Sequence, residues 1–113
     1  MFFRKKKETL RMPKPDDFPD YDLVKNIIII DIRDEEEIKE YGKFENSIHI
    51  PFDEYFASKL LMLDKTKKYG IMDLKGVYPT LKKAQAIAKE AGLDAVMLRG
   101  GFFYITEVLN IKP

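Results

Sequence analysis

Cysteine is absent from these 113 residues. That absence excludes structural disulfides, thiolate metal sites and every mechanism that runs through a cysteine nucleophile. Histidine is nearly absent as well. With His49 as the single one, no histidine-rich metal centre can form, and only carboxylates remain to hold a hard cation weakly. Long hydrophobic runs are missing: no apolar stretch approaches the roughly 20 residues that span a bilayer. The opening Met1-Phe2-Phe3-Arg4-Lys5-Lys6-Lys7 has no apolar run behind its charges, so it is not read as a secretory signal. A cytoplasmic protein with no membrane partner is expected. An excess of charge of one sign is also missing. Twenty basic and 19 acidic side chains give a formal net charge of +1, which creates no global field to gather nucleic acid. No nucleic-acid partner and no cofactor or metal are expected, and any basic site must be local.

What is present is a globular composition, 45% hydrophobic and 35% charged, in a length that suits one domain with one core. Residues 1–25 form an irregular N-terminal segment. Pro13, Pro15 and Pro19, interleaved with Asp16, Asp17 and Asp20, exclude a continuous helix there. A short strand around Thr9–Met12 and a turn of helix near Tyr21–Lys25 are expected, and the triple lysine reads as a solvated terminal charge run. The segment either packs on the domain or leads into it.

The domain proper is expected over residues 26–113. Ile27-Ile28-Ile29-Ile30 is a continuous β-branched run, the pattern of a strand buried on both faces of a parallel sheet. After Asp31-Ile32-Arg33 comes Asp34, placed to cap a helix with Glu37 bonding back to it, and Gly42 ends that helix. Ser47–Ile50 reads as a second strand stopped by Pro51. Residues 52–63 carry Phe56, Leu60, Leu61 and Leu63 at helical spacing. Tyr69–Met72 is the next strand and is followed by a loop from Asp73 to Pro79. The helix that Thr80 and Leu81 then open turns Leu81, Ala84, Ile87, Ala88 and Ala91 to the sheet, and Gly92 stops it. Ala95–Leu98 is the last strand, Gly100-Gly101 a tight turn and Phe102–Leu109 the final helix. Strands alternate with helices throughout, which predicts an α/β fold in three layers, a mainly parallel sheet with helices on both faces.

Four of these segments, in this order, resemble the rhodanese-like family. Asp31-Ile32-Arg33 with Glu37 beyond it is similar to that family's D-x-R…E pattern. Gly42 to Pro51 has the length of its G-H-I-P-G-A-I-N-I-P stretch and keeps Gly42, Ile48, Ile50 and Pro51, with Lys43 for the usual histidine and His49 for the usual asparagine. Leu98-Arg99-Gly100-Gly101-Phe102 resembles the L-x-G-G-hydrophobic signature before the last helix. The family's active loop, C-x-x-G-x-R, falls on Asp73-Leu74-Lys75-Gly76-Val77-Tyr78. Gly76 and the loop length are kept, while Asp73 stands at the nucleophile position and Tyr78 at the arginine position. The resemblance implies a five-stranded sheet in the order 3-2-4-5-1.

The resemblance also implies a site at this loop. Successive backbone N–H groups turned inward at a helix N-terminus stabilise an anion, in active members a thiolate and then its persulfide. A carboxylate cannot carry sulfane sulfur to an acceptor, so conventional sulfurtransferase and cysteine-dependent phosphatase chemistry are excluded, and the chain is expected not to be an enzyme. For Asp73 three readings stand: a solvent-facing or helix-capping residue, an anion that fills the cradle itself, or a new catalytic group. The candidate binding residues are Asp73, Leu74, Lys75, Gly76, Val77 and Tyr78, with Arg99 beside the Gly100-Gly101 turn supplying a local positive charge. No catalytic residue is assigned. Arg33 and Glu37 are expected to pair with each other, Tyr78 to pack partly buried before Pro79, and His49 to be an ordinary polar residue at a strand end. The expected function is a non-catalytic module that binds a protein partner or a small anion at residues 73–78. Its rival is a sulfur-relay component using a cysteine supplied by a partner.

Overall fold

The computed structural model describes residues 17–113. Asp20 caps the first helix, α1 (Tyr21–Asn26), by accepting a hydrogen bond from the Leu23 N–H at 2.9 Å. Four strands and four further helices follow: β1 (Ile28–Asp31), α2 (Glu35–Tyr41), β2 (Ser47–His49), α3 (Phe56–Leu60), β3 (Lys68–Met72), α4 (Tyr78–Glu90), β4 (Asp94–Met97) and α5 (Gly101–Phe103). A π-helical turn, Tyr104–Val108, continues α5.

All strand pairs are parallel, in the order β2-β1-β3-β4. The sheet therefore has four strands among the described residues, not five. The expected strand at Thr9–Met12 lies outside them, and the observed order is the expected one with that strand left out. The isoleucine run explains why β1 is central. Ile28, Ile30 and Ile32 face one layer, while Ile27 and Ile29 face the other, as the two-residue period of a strand requires. The first layer packs Phe56 and Leu60 of α3 with Leu81, Ala84 and Ala88 of α4. The second packs Leu23 and Val24 of α1 with Phe102 and Ile105. Gly70 of β3 lies on the second face, where a methyl group would sit about 2.5 Å from Ile27 Cδ1 and 2.9 Å from Leu98 Cδ2. The three-layer architecture is thus the one expected.

Two helices differ from their sequence patterns. The helix expected over residues 52–63 contracts to α3, and Leu61 is 60% exposed rather than inward. Asp53 accepts the Tyr55 N–H at 2.9 Å, a local turn that competes with helix, and i→i+3 bonds from Met62 and Leu63 close the other end. The final helix changes register because the Thr106 hydroxyl donates to the Phe102 carbonyl at 3.1 Å, and Leu109 N–H reaches back to Tyr104 instead.

Parallel strands deliver their C-terminal ends to one edge. The chain leaves β1 toward β2 on one side and leaves β3 toward β4 on the other. A crevice therefore opens between the ends of β1 and β3, the position where open α/β sheets bind ligands.

Candidate functional site

The Asp73–Val77 loop fills that crevice's edge. It leaves β3 directly, and Asp73 turns its carboxylate back onto the loop. Its Oδ1 accepts the Gly76 N–H at 2.7 Å and its Oδ2 accepts the Val77 N–H at 2.8 Å. Asp73 is 9% exposed. The carboxylate thus sits where the loop meets the N-terminus of α4, close to the positive end of its dipole, while Val77 at the N-cap position makes no side-chain cap. Pro79 follows at a helix position whose N–H needs no intrahelical partner.

The glycines hold the loop in place. Gly76 adopts φ +79°, and a Cβ there would run into the backbone of Gly100, about 2.6 Å from its Cα. A Cβ on Gly101, at φ +66°, would meet Gly76 N at 2.6 Å and the Asp73 carbonyl at 2.8 Å. The loop carbonyls are themselves engaged, Asp73 by Phe102 N–H at 2.9 Å and Leu74 by Phe103 N–H at 3.2 Å. Loop and last helix therefore form one hydrogen-bonded unit.

Beside the loop lies a buried ion pair. Arg33 donates Nε to Asp31 Oδ1 at 2.9 Å and Nη2 to Asp31 Oδ2 at 2.7 Å, a bidentate pair, and Nη2 also reaches the Gly42 carbonyl at 2.8 Å. The guanidinium carbon lies 4.3 Å from the centre of the Phe102 ring. Nη1 is buried without a hydrogen-bond partner. The expected Arg33–Glu37 pair is therefore corrected. Asp31 and Arg33, two apart at a strand end, share a side of the chain, whereas Glu37 accepts the Asp34 N–H and completes the capping box with it. His49 donates from Nε2 to the Arg33 carbonyl at 2.7 Å, which ties β2 to the same junction.

Above the loop a groove of about 350 Å³ is lined by Ile32, Arg33, Glu37 and Phe52 on one side. Asp73, Leu74, Lys75, Val77 and Thr80 line the other. Asp73, Leu74, Lys75 and Val77 are thus brought together on one groove wall. Gly76 shapes the loop from behind. Tyr78 is 38% exposed and lies outside the groove lining, with the Lys82 ammonium 5.9 Å from its ring centre. Arg99 is directed elsewhere: its guanidinium carbon stands 4.6 Å from the Phe18 ring centre, and Phe18 packs 4.8 Å from Tyr104. Ile32, Glu37, Phe52 and Thr80 were missed as groove residues. For Ile32 and Glu37 the signal was available, since they follow the strand that neighbours β3. Thr80 lies in the first turn of α4, three positions beyond Val77, and only Phe52 is brought in by the tertiary fold alone. Among the described residues there is no cluster of three or more histidine, aspartate or glutamate side chains able to hold a metal ion. No helix among them is long and apolar enough to cross a membrane.

The family model for the rhodanese-like domain matches residues 17–107. The chain belongs to the rhodanese-like domain family. A rhodanese-related protein from Thermoplasma volcanium is 25% identical, with 82% of this chain and 87% of that one covered and a TM-score of 0.65. A rhodanese-like domain protein from Staphylococcus aureus is 26% identical over 87% of this chain and 79% of its own, with a TM-score of 0.58. Reduced CoADR-RHD from Bacillus anthracis is similar over 78% of this chain but only 15% of its own, at 26% identity and a TM-score of 0.62. No curated protein matches. Within the rhodanese-like family, then, this chain keeps the fold and the loop but has no cysteine anywhere.

Proposed function

We propose that this chain is a catalytically inactive rhodanese-like module of the cytoplasm that works by binding a protein partner at the loop of residues 73–78. One observation carries the reading: at the nucleophile position stands a carboxylate, and both its oxygens are already bound by the loop's own Gly76 and Val77 N–H groups. A carboxylate forms no persulfide, so no sulfur can rest there between donor and acceptor. A small anion is the weaker of the two ligands, because two of the amides that would hold it are engaged by Asp73. A protein segment can instead use the groove wall, where Phe52 is 37% and Val77 51% exposed.

The sulfur-relay reading draws support from the open groove at the loop, which leaves room for a partner's cysteine. One experiment separates the readings. A photo-crosslinking residue at Val77, in lysate from the protein's own organism, should capture one discrete partner. The same residue at Lys83, on the exposed side of α4, should not. Equal capture at both positions refutes the loop as the binding site. Capture of a partner through its own cysteine, with sulfur transfer by the complex, replaces the inactive module with the relay.

A further inference from the structure

The groove has a charge as well as a shape. Asp73 lies in its lining, and its two loop hydrogen bonds occupy two of the roughly four lone-pair sites that a carboxylate offers. Glu37 joins it from α2. Arg33 also lines the groove, with its Nη1 lacking a hydrogen-bond partner. Its charge is offset by the bidentate bond to Asp31 behind it, so counting that pair as neutral leaves the exposed Lys75 as the opposing cation. Around these charges stand apolar surfaces from Ile32, Phe52, Leu74 and Val77. The family's loop builds a cradle for an anion; here the anion is part of the chain, and the groove beside it presents net negative charge between apolar walls.

Such a groove suits a cation carried on an apolar stem. A guanidinium is weakly hydrated, bonds carboxylates along its edge and stacks on aromatic faces. A volume of about 350 Å³ is at the small end of the ~300–1,000 Å³ typical of ligand pockets, so it fits one long side chain rather than a cofactor. Resting on the binding reading above, we propose that the groove receives an arginine side chain of the partner protein, its guanidinium toward Asp73 and Glu37 and its stem between Phe52 and Val77.

The test uses three probes followed by amide NMR on the full chain: N-acetyl-arginine amide, its neutral isostere N-acetyl-citrulline amide, and N-acetyl-glutamate amide. The arginine probe should shift the amides of Lys75, Gly76, Val77 and Thr80, and the citrulline probe should bind about tenfold more weakly, as loss of a charge-assisted bond implies. Two variants leave the Asp73 hydrogen bonds in place. Lys75→Glu should tighten arginine binding, and Glu37→Gln, which still permits the capping box, should weaken it, each by about twofold to fivefold. Equal binding of citrulline, indifference to both charge variants, or no groove shifts with any probe at the solubility limit overturns the proposal. Preference for the glutamate or citrulline probe at the same amides also overturns it while leaving the groove a binding site. The crosslinking comparison of Val77 and Lys83 judges that broader reading separately.

Discussion

Replacing Asp73 by asparagine tests whether its carboxylate fills the loop. In the native chain the two oxygens receive two N–H groups, at 2.7 and 2.8 Å. Asparagine keeps one acceptor oxygen and turns an NH₂ group toward the second donor, so one loop N–H loses its partner. A hydrogen bond to a charged group contributes about 1.5–3 kcal/mol, and the open groove lets water recover part of that. The favourable placement of a negative charge at the start of α4 is lost too, worth about 0.3–1 kcal/mol. Together these give an expected loss of about 1–3 kcal/mol. For a domain of this size each kcal/mol lowers Tm by roughly 4–8 °C. Urea unfolding followed by circular dichroism measures the loss. Calorimetric titration with sulfate at low salt measures the second consequence. With the charge gone and an amide freed, Asp73→Asn should bind sulfate more tightly than the parent, and the gain should fade as salt rises. Glu36→Gln, on the exposed side of α2, controls for the change in net charge. Unaltered stability together with equal or weaker sulfate binding would mean that Asp73 does not hold the loop amides, and the case for a self-filled cradle would fall.

Asp31→Ala should cost about 3–5 kcal/mol, because Arg33 would remain buried with its charge uncompensated; Asp31→Ala with Arg33→Met should recover most of that loss in the same urea measurement. Asp73→Cys alone should give little or no sulfur transfer from thiosulfate to cyanide. Asp73→Cys with Tyr78→Arg should give measurable thiocyanate, and thiocyanate from the unsubstituted chain would refute the reading, since it holds no thiol. Burial raises the Tyr69 phenol pKa above its usual value of 10.0. The folded state therefore binds that proton more tightly than the unfolded chain, so the contribution is intact below pH 10 and is lost as pH climbs through the folded value. Tyr69→Phe should flatten the alkaline limb of the stability curve, and an unchanged limb would exclude Tyr69 as its source.

What could be read from the sequence was whatever local pattern dictates. The isoleucine run specified a strand buried on both faces, and Asp34 with Glu37 specified a helix start, because both depend on residues within a few positions of one another. The loop's place between β3 and α4 followed from the resemblance in register. Features set by long-range approach were not legible. Arg99 was expected beside the loop, yet Phe18, some eighty positions away, provides the ring over which it lies. The Arg33 error has a different origin. Arg33 and Glu37 were expected to pair, but Arg33 lies before the helix starts, where the two-residue period of the strand end governs and brings it to Asp31.

The bonds from Phe102 and Phe103 N–H to the carbonyls of Asp73 and Leu74 also have a mechanical consequence. Phe102 lies over the guanidinium that holds β1 to the end of α2, so the loop, the last helix and the first crossover are geared together. A load on the loop would pass through these bonds to α5, and from Phe102 to the Arg33 junction. A ligand seated in the groove would therefore stiffen the chain as far as Val108, whose exposed side chain lies on the far end of the same helical segment. Amide exchange at Leu109 and Ile111, which bond back to Tyr104 and Ile105, would slow on binding even though neither residue touches the groove.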